Sequence, residues 1–273
     1  MNTDEEFISF DPMAHHYDNT RAISDHFLNV FLEEFKNLLP EPSKIKNILE
    51  IGCGTGRISK IFATNNYFLT GVDVSENMLS IAEKKAKSEN WNFKPVLADA
   101  RKLPFSDNQF DMAYTVHVLH LIKDWKQVIS EALRCSKFGI FANFSLHKSI
   151  FNTPLMKEYW KKINELHKDQ NLSYDYNSDK KLGAQNDDEI KQYMETIGYS
   201  CHYKEFSYKS TMKNSKLIEI AQTKSFSNQR FLSDDDHTSV MNYLENNNYF
   251  LPTDSDEFEI FEEGKIFLFY NSD

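Results

Sequence analysis

Ile48-Leu49-Glu50-Ile51-Gly52-Cys53-Gly54-Thr55-Gly56-Arg57-Ile58 decides the fold of this chain. It reads as a short apolar strand, a glycine-rich turn and the start of a helix, with an acid, Glu50, two positions ahead of the first glycine. That order builds a nucleotide-type pocket at the carboxyl end of a strand. Side chains in such a turn would block a ligand, and glycine reaches backbone angles that other residues hold only at a cost. The spacing also separates ligands. A dinucleotide fingerprint is G-x-G-x-x-G, whose third glycine packs the helix on the strand. Here the spacing is G-x-G-x-G, and Arg57 stands where that third glycine would fall. Glu50 suits a ligand with positive charge near the turn and would repel a pyrophosphate.

The next segments extend this reading. Tyr67-Phe68-Leu69-Thr70-Gly71-Val72-Asp73 is a second strand ending in an acid. Asp73 lies about 20 residues past the glycine turn, the offset at which a carboxylate accepts both ribose hydroxyls. Ser75 caps a helix through Met78, Leu79, Ala82 and Ala86. Phe93 to Ala100 is a third strand, and Asp111 to Val116 a fourth. At Asp124 a helix opens, with Gln127 completing a capping box and Trp125, Val128, Ile129, Ala132 and Leu133 on one face. Phe138 to Phe144 is the fifth strand. Strands alternating with helices predict a parallel α/β sheet.

Glu50-Ile51-Gly52-Cys53-Gly54-Thr55-Gly56, followed in order by Asp73, by Asp99-Ala100 and by Leu103-Pro104-Phe105-Ser106-Asp107-Asn108-Gln109-Phe110-Asp111, resembles the class I S-adenosylmethionine-dependent methyltransferases, in particular the type 11 methyltransferase-like family. The resemblance covers about residues 10 to 144. It implies a Rossmann-like, seven-stranded, mostly parallel sheet with helices on both faces and an antiparallel last strand. S-adenosyl-L-methionine is the implied cofactor and S-adenosyl-L-homocysteine the product. The implied cofactor site comprises Glu50, Gly52, Cys53, Gly54, Gly56, Asp73, Val74, Met78, Asp99, Ala100 and Val116. Asp99 would accept from the adenine amino group and the following amide would meet a ring nitrogen. Cys53 by itself reads as small-residue packing. Phe10-Asp11-Pro12-Met13-Ala14-His15-His16-Tyr17-Asp18-Asn19-Thr20-Arg21 resembles the segment that precedes the fold in small-molecule members. There a tyrosine at the place of Tyr17 closes over the cofactor, and Arg21 would pair with an acid or a substrate carboxylate. Ser136-Lys137-Phe138-Gly139 departs from the family, which has a proline-glycine turn before the fifth strand.

Methyl transfer from a sulfonium is an in-line displacement, and holding the partners in near-attack geometry supplies about 7 to 11 kcal/mol. A base is needed only when the acceptor's proton must leave. His117 and His120, after the fourth strand and spaced for one helical face, are the candidates to orient or deprotonate an acceptor, with Tyr17 beside them. The plain alternative for each histidine is a backbone bond that fixes the turn. His15 and His16 read equally well as surface residues. Competing functions are an NAD-dependent oxidoreductase, since Asp73 would also serve that ribose, a tRNA methyltransferase, and a non-catalytic binding module.

The chain has 273 residues, 40% hydrophobic and 26% charged, the composition of a soluble globular protein, and a net charge of -10. That balance repels nucleic-acid phosphates and favours a small-molecule substrate. No apolar run approaches the roughly 18 to 20 residues that span a bilayer, and no signal core opens the chain. Three scattered cysteines predict a cytoplasmic protein without disulfides, and no spacing suggests a metal site.

We divide the chain into an N-terminal helical cap (1–44), a cofactor-binding core (45–146), an insertion on the substrate side (147–185) and a remainder (186–273) that completes one domain. In the cap, Asp18-Asn19-Thr20 opens a helix that Pro40 and Pro42 end. The first insertion carries a helix over about 154–167 and a solvated face with Lys157, Lys161, Lys162, Lys168, Lys180 and Lys181. In the remainder, Asn186 and Glu189 form a capping box, 199–208 is a sixth strand and 266–270 the last. Helices over about 215–224 and 234–246 lie between them, an insertion that suits either a small lobe or a homodimer contact.

Overall fold

The computed structural model describes residues 6–7, 11, 14, 17–18, 23–166, 182–223, 232–250 and 257–271. Its sheet has seven strands: β1 (Asn47–Ile51), β2 (Phe68–Asp73), β3 (Phe93–Leu97), β4 (Phe110–Val116), β5 (Ser136–Lys148), β6 (Ser200–Lys213) and β7 (Glu257–Tyr270). They lie in the order β3-β2-β1-β4-β5-β7-β6. β1 to β5 are parallel, and β7 runs antiparallel to both β5 and β6. The chain moves outward from β1 to β3, then returns to place β4 on the other side of β1. Such a reversal opens a crevice at the carboxyl ends of the strands. The two turns at that crevice are the one after β1, beginning at Gly52, and the one after β4, beginning at His117.

Eight α-helices of five or more residues lie among the described residues: α1 (Asp25–Leu38), α2 (Ser59–Ala63), α3 (Glu76–Glu89), α4 (Trp125–Cys135), α5 (Pro154–Leu166), α6 (Asp187–Thr196), α7 (Asn214–Gln222) and α8 (Asp234–Asn246). Successive side chains of a strand point to opposite faces. Ile48, Met112, Tyr114 and Phe144 therefore meet α1 and α2 on one face, through Phe27, Phe31, Phe35 and Phe62. Leu49, Ile51, Ala113 and Phe141 meet α4 and α6 on the other, through Val128, Ile129, Ile190 and Met194.

Several local readings need correction. α1 begins at Asp25, not at Asp18–Thr20. Ser24 caps it, accepting from Phe27 N–H, and also donates its N–H (2.9 Å) and hydroxyl (2.5 Å) to the buried carboxylate of Glu262 on β7. A double anchor in the interior fixes the start of the helix. Replacing Ser24 with Ala removes the cap and one partner of that carboxylate. It should cost about 1 to 3 kcal/mol in denaturant unfolding; an unchanged midpoint would refute the anchor. Asp124 makes no side-chain cap, and Gln127 reaches the Arg101 carbonyl instead of closing a box. Asn186 does cap α6, but Glu189 accepts from Gln185 N–H, one residue outside the expected box. The missing proline-glycine turn is replaced by a bulge at the start of β5. Ser136 Oγ accepts from Ile140 N–H at 2.9 Å while the register shifts against β4.

The two insertions fold together. α5, from the first, packs on α7 and α8, from the second, around Leu155, Tyr159, Ile163, Val240 and Leu244. Inside this lobe His237 Nε2–H donates to the Gln222 carbonyl (3.1 Å), and its Nδ1 accepts from the Tyr159 hydroxyl (3.0 Å). Lys161 pairs with Glu158 and Lys162 with Glu165, as a solvated face requires. Lys168, Lys180 and Lys181 lie outside the described residues. β5, β6 and β7 run longer than the pattern predicts. β7 is joined to the lobe through Ile260, which packs with Ile150, Leu217 and Ile220.

Candidate functional site

The glycine turn forms because each position meets a separate constraint. Gly52 sits at φ +71, and a Cβ there would fall 2.4 Å from Val118 Cγ2. Gly54, at φ +54, has nothing within 4 Å of where its Cβ would project. The first glycine therefore lets the turns after β1 and β4 touch, and the second leaves a cradle open. Asp73 ties the turn to β2: its Oδ2 accepts from Gly54 N–H (2.8 Å) and its Oδ1 from Ser75 N–H (3.0 Å). Burial raises the Asp73 pKa, and the Ser75, Gly54 and Val74 amides oppose that shift. Each carboxylate oxygen keeps a second acceptor position, and Asp73 is part of the cleft lining.

A cleft of about 810 Å³, its mouth included, lies above these groups. Gly52, Gly54, Asp73, Val74, Met78, Asp99, Ala100, Val116, His117 and Tyr17 line it, as do Phe7, Ala98, Val118, Leu121 and Ile122. The second set is mostly apolar and forms the sides of a slot. Phe7 arrives by a β-bridge to Ile122, with Lys123 N–H donating to the Glu6 carbonyl. Tyr17 is placed by its neighbour Asp18, which accepts from Thr55 Oγ1 (2.6 Å) and pairs with Lys85. Asp11 accepts from Ser75 Oγ and Asn77.

Other expected site residues stand elsewhere. Gly56 does not line the cleft; a Cβ there would come within 3.1 Å of the Trp91 ring and 3.3 Å of Ala82, so it serves the packing of α3. Cys53 is buried beneath the turn against Gly71, and burial raises its thiol pKa. His117 and His120 do not share a helical face. His117 is held at φ +55, and Leu146 N–H donates to its Nε2 at 2.9 Å. Burial, with His147 and His120 adding, holds its pKa well below the usual histidine value. His120 is absent from the lining, and its carbonyl accepts from Leu182 and Gly183 N–H. Arg21, His15 and His16 lie outside the described residues. Sequence reasoning missed Arg101, which grips Asp99 through both nitrogens of a bidentate pair and reaches Glu6 at 2.5 Å. It holds Asp99 below the ordinary carboxylate range. The signal was local, an arginine two residues after the acid. Phe7 gave none, since its partner is 115 positions away in the chain.

Glu50 points under the turn, not into the cleft lining. It is 2% exposed and accepts from Ser59 Oγ at 2.5 Å. Burial pushes its pKa to about 7 from an ordinary 4.5, against help from Ser59, Tyr114 and Arg57. Raised in the folded state, this carboxyl favours folding below pH 4.5. The advantage is lost as pH rises to about 7 and the unfolded chain alone ionises. The shift is worth about 3 kcal/mol at most. Glu50→Gln should match the native protein in stability near pH 4, relative to other groups, and gain on it by up to that amount at pH 8. A difference that stays flat across this range in denaturant titrations would refute the assignment.

Sheet order, glycine turn and Asp73 define the class first: a Rossmann-like domain that takes a nucleoside-type ligand at its switch point. Residues 49–142 match the family model described as a methyltransferase domain. The demethylmenaquinone methyltransferase of Listeria welshimeri is 31% identical over 134 residues, 48% of this chain and 57% of that protein. The chain thus spans little more than half the length of that curated relative. Among solved structures, Haemonchus contortus phosphoethanolamine N-methyltransferase 2, in complex with phosphomonomethylethanolamine and S-adenosylhomocysteine, has a TM-score of 0.55 at 18% identity, over 97% of this chain and 58% of that one. The [4+2]-cyclase SpnF gives 0.53 at 16%, over 92% and 84%. The likeness to the class I, S-adenosylmethionine-dependent methyltransferases thus rests on residues 49–142, which match the methyltransferase domain. The cleft fits that cofactor: open space over Gly54, a fixed carboxylate for a diol and an apolar slot for a ring.

Proposed function

We propose that this protein is a methyltransferase that moves a methyl group from S-adenosylmethionine to a small molecule. The observation that carries it is Asp73, locked by the Gly54 and Ser75 amides beside the open backbone at Gly54, where a Cβ would meet no protein atom within 4 Å. Asp73 would accept from the ribose hydroxyls. Asp99, steadied by Arg101, would meet the adenine edge together with the Ala100 amide. Gly52, Val74, Met78 and Val116 would form the walls, and Tyr17 would close the mouth. The bound cofactor supplies an electrophilic methyl group; the chain's task is to orient the acceptor and exclude water. A small acceptor is supported by the net charge of -10 and by relatives named for demethylmenaquinone and sterol methylation. The lobe of α5, α7 and α8 would cover the substrate side. No described helix is long and apolar enough to cross a membrane, and Cys53, Cys135 and Cys201 are free, which supports a reducing cytoplasm.

Calorimetry tests the reading. S-adenosylhomocysteine should bind and NAD should not; NAD binding without S-adenosylhomocysteine binding would overturn it. Because a cyclase shares the fold, transfer of a labelled methyl group into small-molecule extracts must then follow.

A further inference from the structure

β5 continues past the end of β4. Its pairing with β4 ends at Phe144 opposite Val116, while its pairing with β7 runs on to Lys148. His147 stands on that projection. Its ring lies 4.7 Å from the His117 ring, edge to face at 71°, and His117 is part of the cleft wall. His117 is committed to Leu146, and neither His120 nor His147 lines the cleft itself; His147 stands just beyond the cleft wall that His117 forms. His147 is exposed. Charged groups face it from three elements besides His117: Asp187 from α6, Glu263 and Lys265 from β7, and Arg57 from the glycine turn.

Resting on the cofactor reading above, we propose that His147 meets the methyl acceptor and takes its proton, so that the acceptor is protic, a hydroxyl or an ammonium nitrogen. The acceptor's proton passes to the His147 imidazole, which in the ammonium case frees the nitrogen pair; the acceptor's lone pair forms the new bond to carbon, and the carbon–sulfur bond breaks with its electron pair going to sulfur. His117 is the positioning residue, holding the ring by its edge. Although part of the His147 side chain is exposed, the protein atoms packed around it desolvate the ring and lower its pKa; Asp187 and Glu263 oppose this, and Lys265 and Arg57 add to it. The ring is therefore neutral and able to accept at neutral pH.

Histidine ring titration by NMR tests this without knowledge of the acceptor. The full-length protein is saturated first with S-adenosylhomocysteine, then with S-adenosylmethionine, which differs by one positive charge at sulfur. Resonances are assigned with His147→Gln, His117→Gln and His202→Gln. The His147 pKa should fall by about one pH unit from the first complex to the second. His202, on β6 and bonded to Tyr270, should not move. A His147 that shifts no more than His202, or stays protonated above pH 8, overturns the proposal while leaving the cofactor reading intact. Failure of both ligands to bind overturns both.

Discussion

Asp73→Ala should abolish measurable S-adenosylhomocysteine binding while leaving the chain folded. The backbone fixes this carboxylate from two sides, by Gly54 N–H at 2.8 Å and Ser75 N–H at 3.0 Å. A ligand diol that donates to both oxygens makes two hydrogen bonds to a charged acceptor, each worth about 1.5 to 3 kcal/mol. Their joint loss corresponds to a weakening of roughly a hundred- to ten-thousandfold. The substitution also leaves the Gly54 amide without its acceptor, which loosens the turn that shapes the cradle. Asp73→Asn separates the effects, since its carbonyl can still accept from one amide. It should recover stability before it recovers binding. Native-like affinity in the Ala variant, measured by calorimetry, would show that Asp73 organises the turn and does not touch the ligand.

Gly183→Ala should be the most destabilising single methyl addition at a described glycine. A Cβ there would fall 2.0 Å from the Leu119 carbonyl oxygen and 2.2 Å from that of Ile122. Both obstacles are backbone, so no rotamer change relieves them. The segment 182–184 docks on the turn after β4 through Leu182 and Gly183 N–H to the His120 carbonyl and Ala184 N–H to the Leu119 carbonyl. Forcing it away sacrifices those bonds, at about 3 kcal/mol or more. For a domain of this size that lowers the unfolding midpoint by about 6 to 12 °C. Leu121 and Ile122 form part of the cleft wall, so ligand affinity should fall with it. A midpoint within 2 °C of the native value would mean that the segment is not held against this turn.

The core was legible because its signals are local. Gly52 and Gly54 take positive φ within one turn and Ser75 caps the helix that follows β2, while the Gly52–Val118 approach and the Gly54–Asp73 bond join the ends of different strands. Periodicity of two and of 3.6 gave strands and helices, and their alternation gave the parallel sheet. Boundaries failed where a long-range partner sets them. Ser24 starts α1 because Glu262, 238 positions away, receives it. β5 and β7 outrun their apolar stretches because β5 pairs with β7 as far as Lys148 and β7 pairs with β6 back to Glu257.

The sequence by itself determined the switch-point turn, the acids after β2 and β3 and the helical face of α4, since each depends on neighbours within a turn or a strand. Only the tertiary structure decided the rest. It turned Glu50 beneath the turn, committed His117 to Leu146 and brought His147 beside it. It also joined two separate insertions into one lobe, with Tyr159 bonded to His237 across 78 positions. Those arrangements come from burial and from pairing between distant segments, and a linear pattern carries no record of which distant surfaces meet.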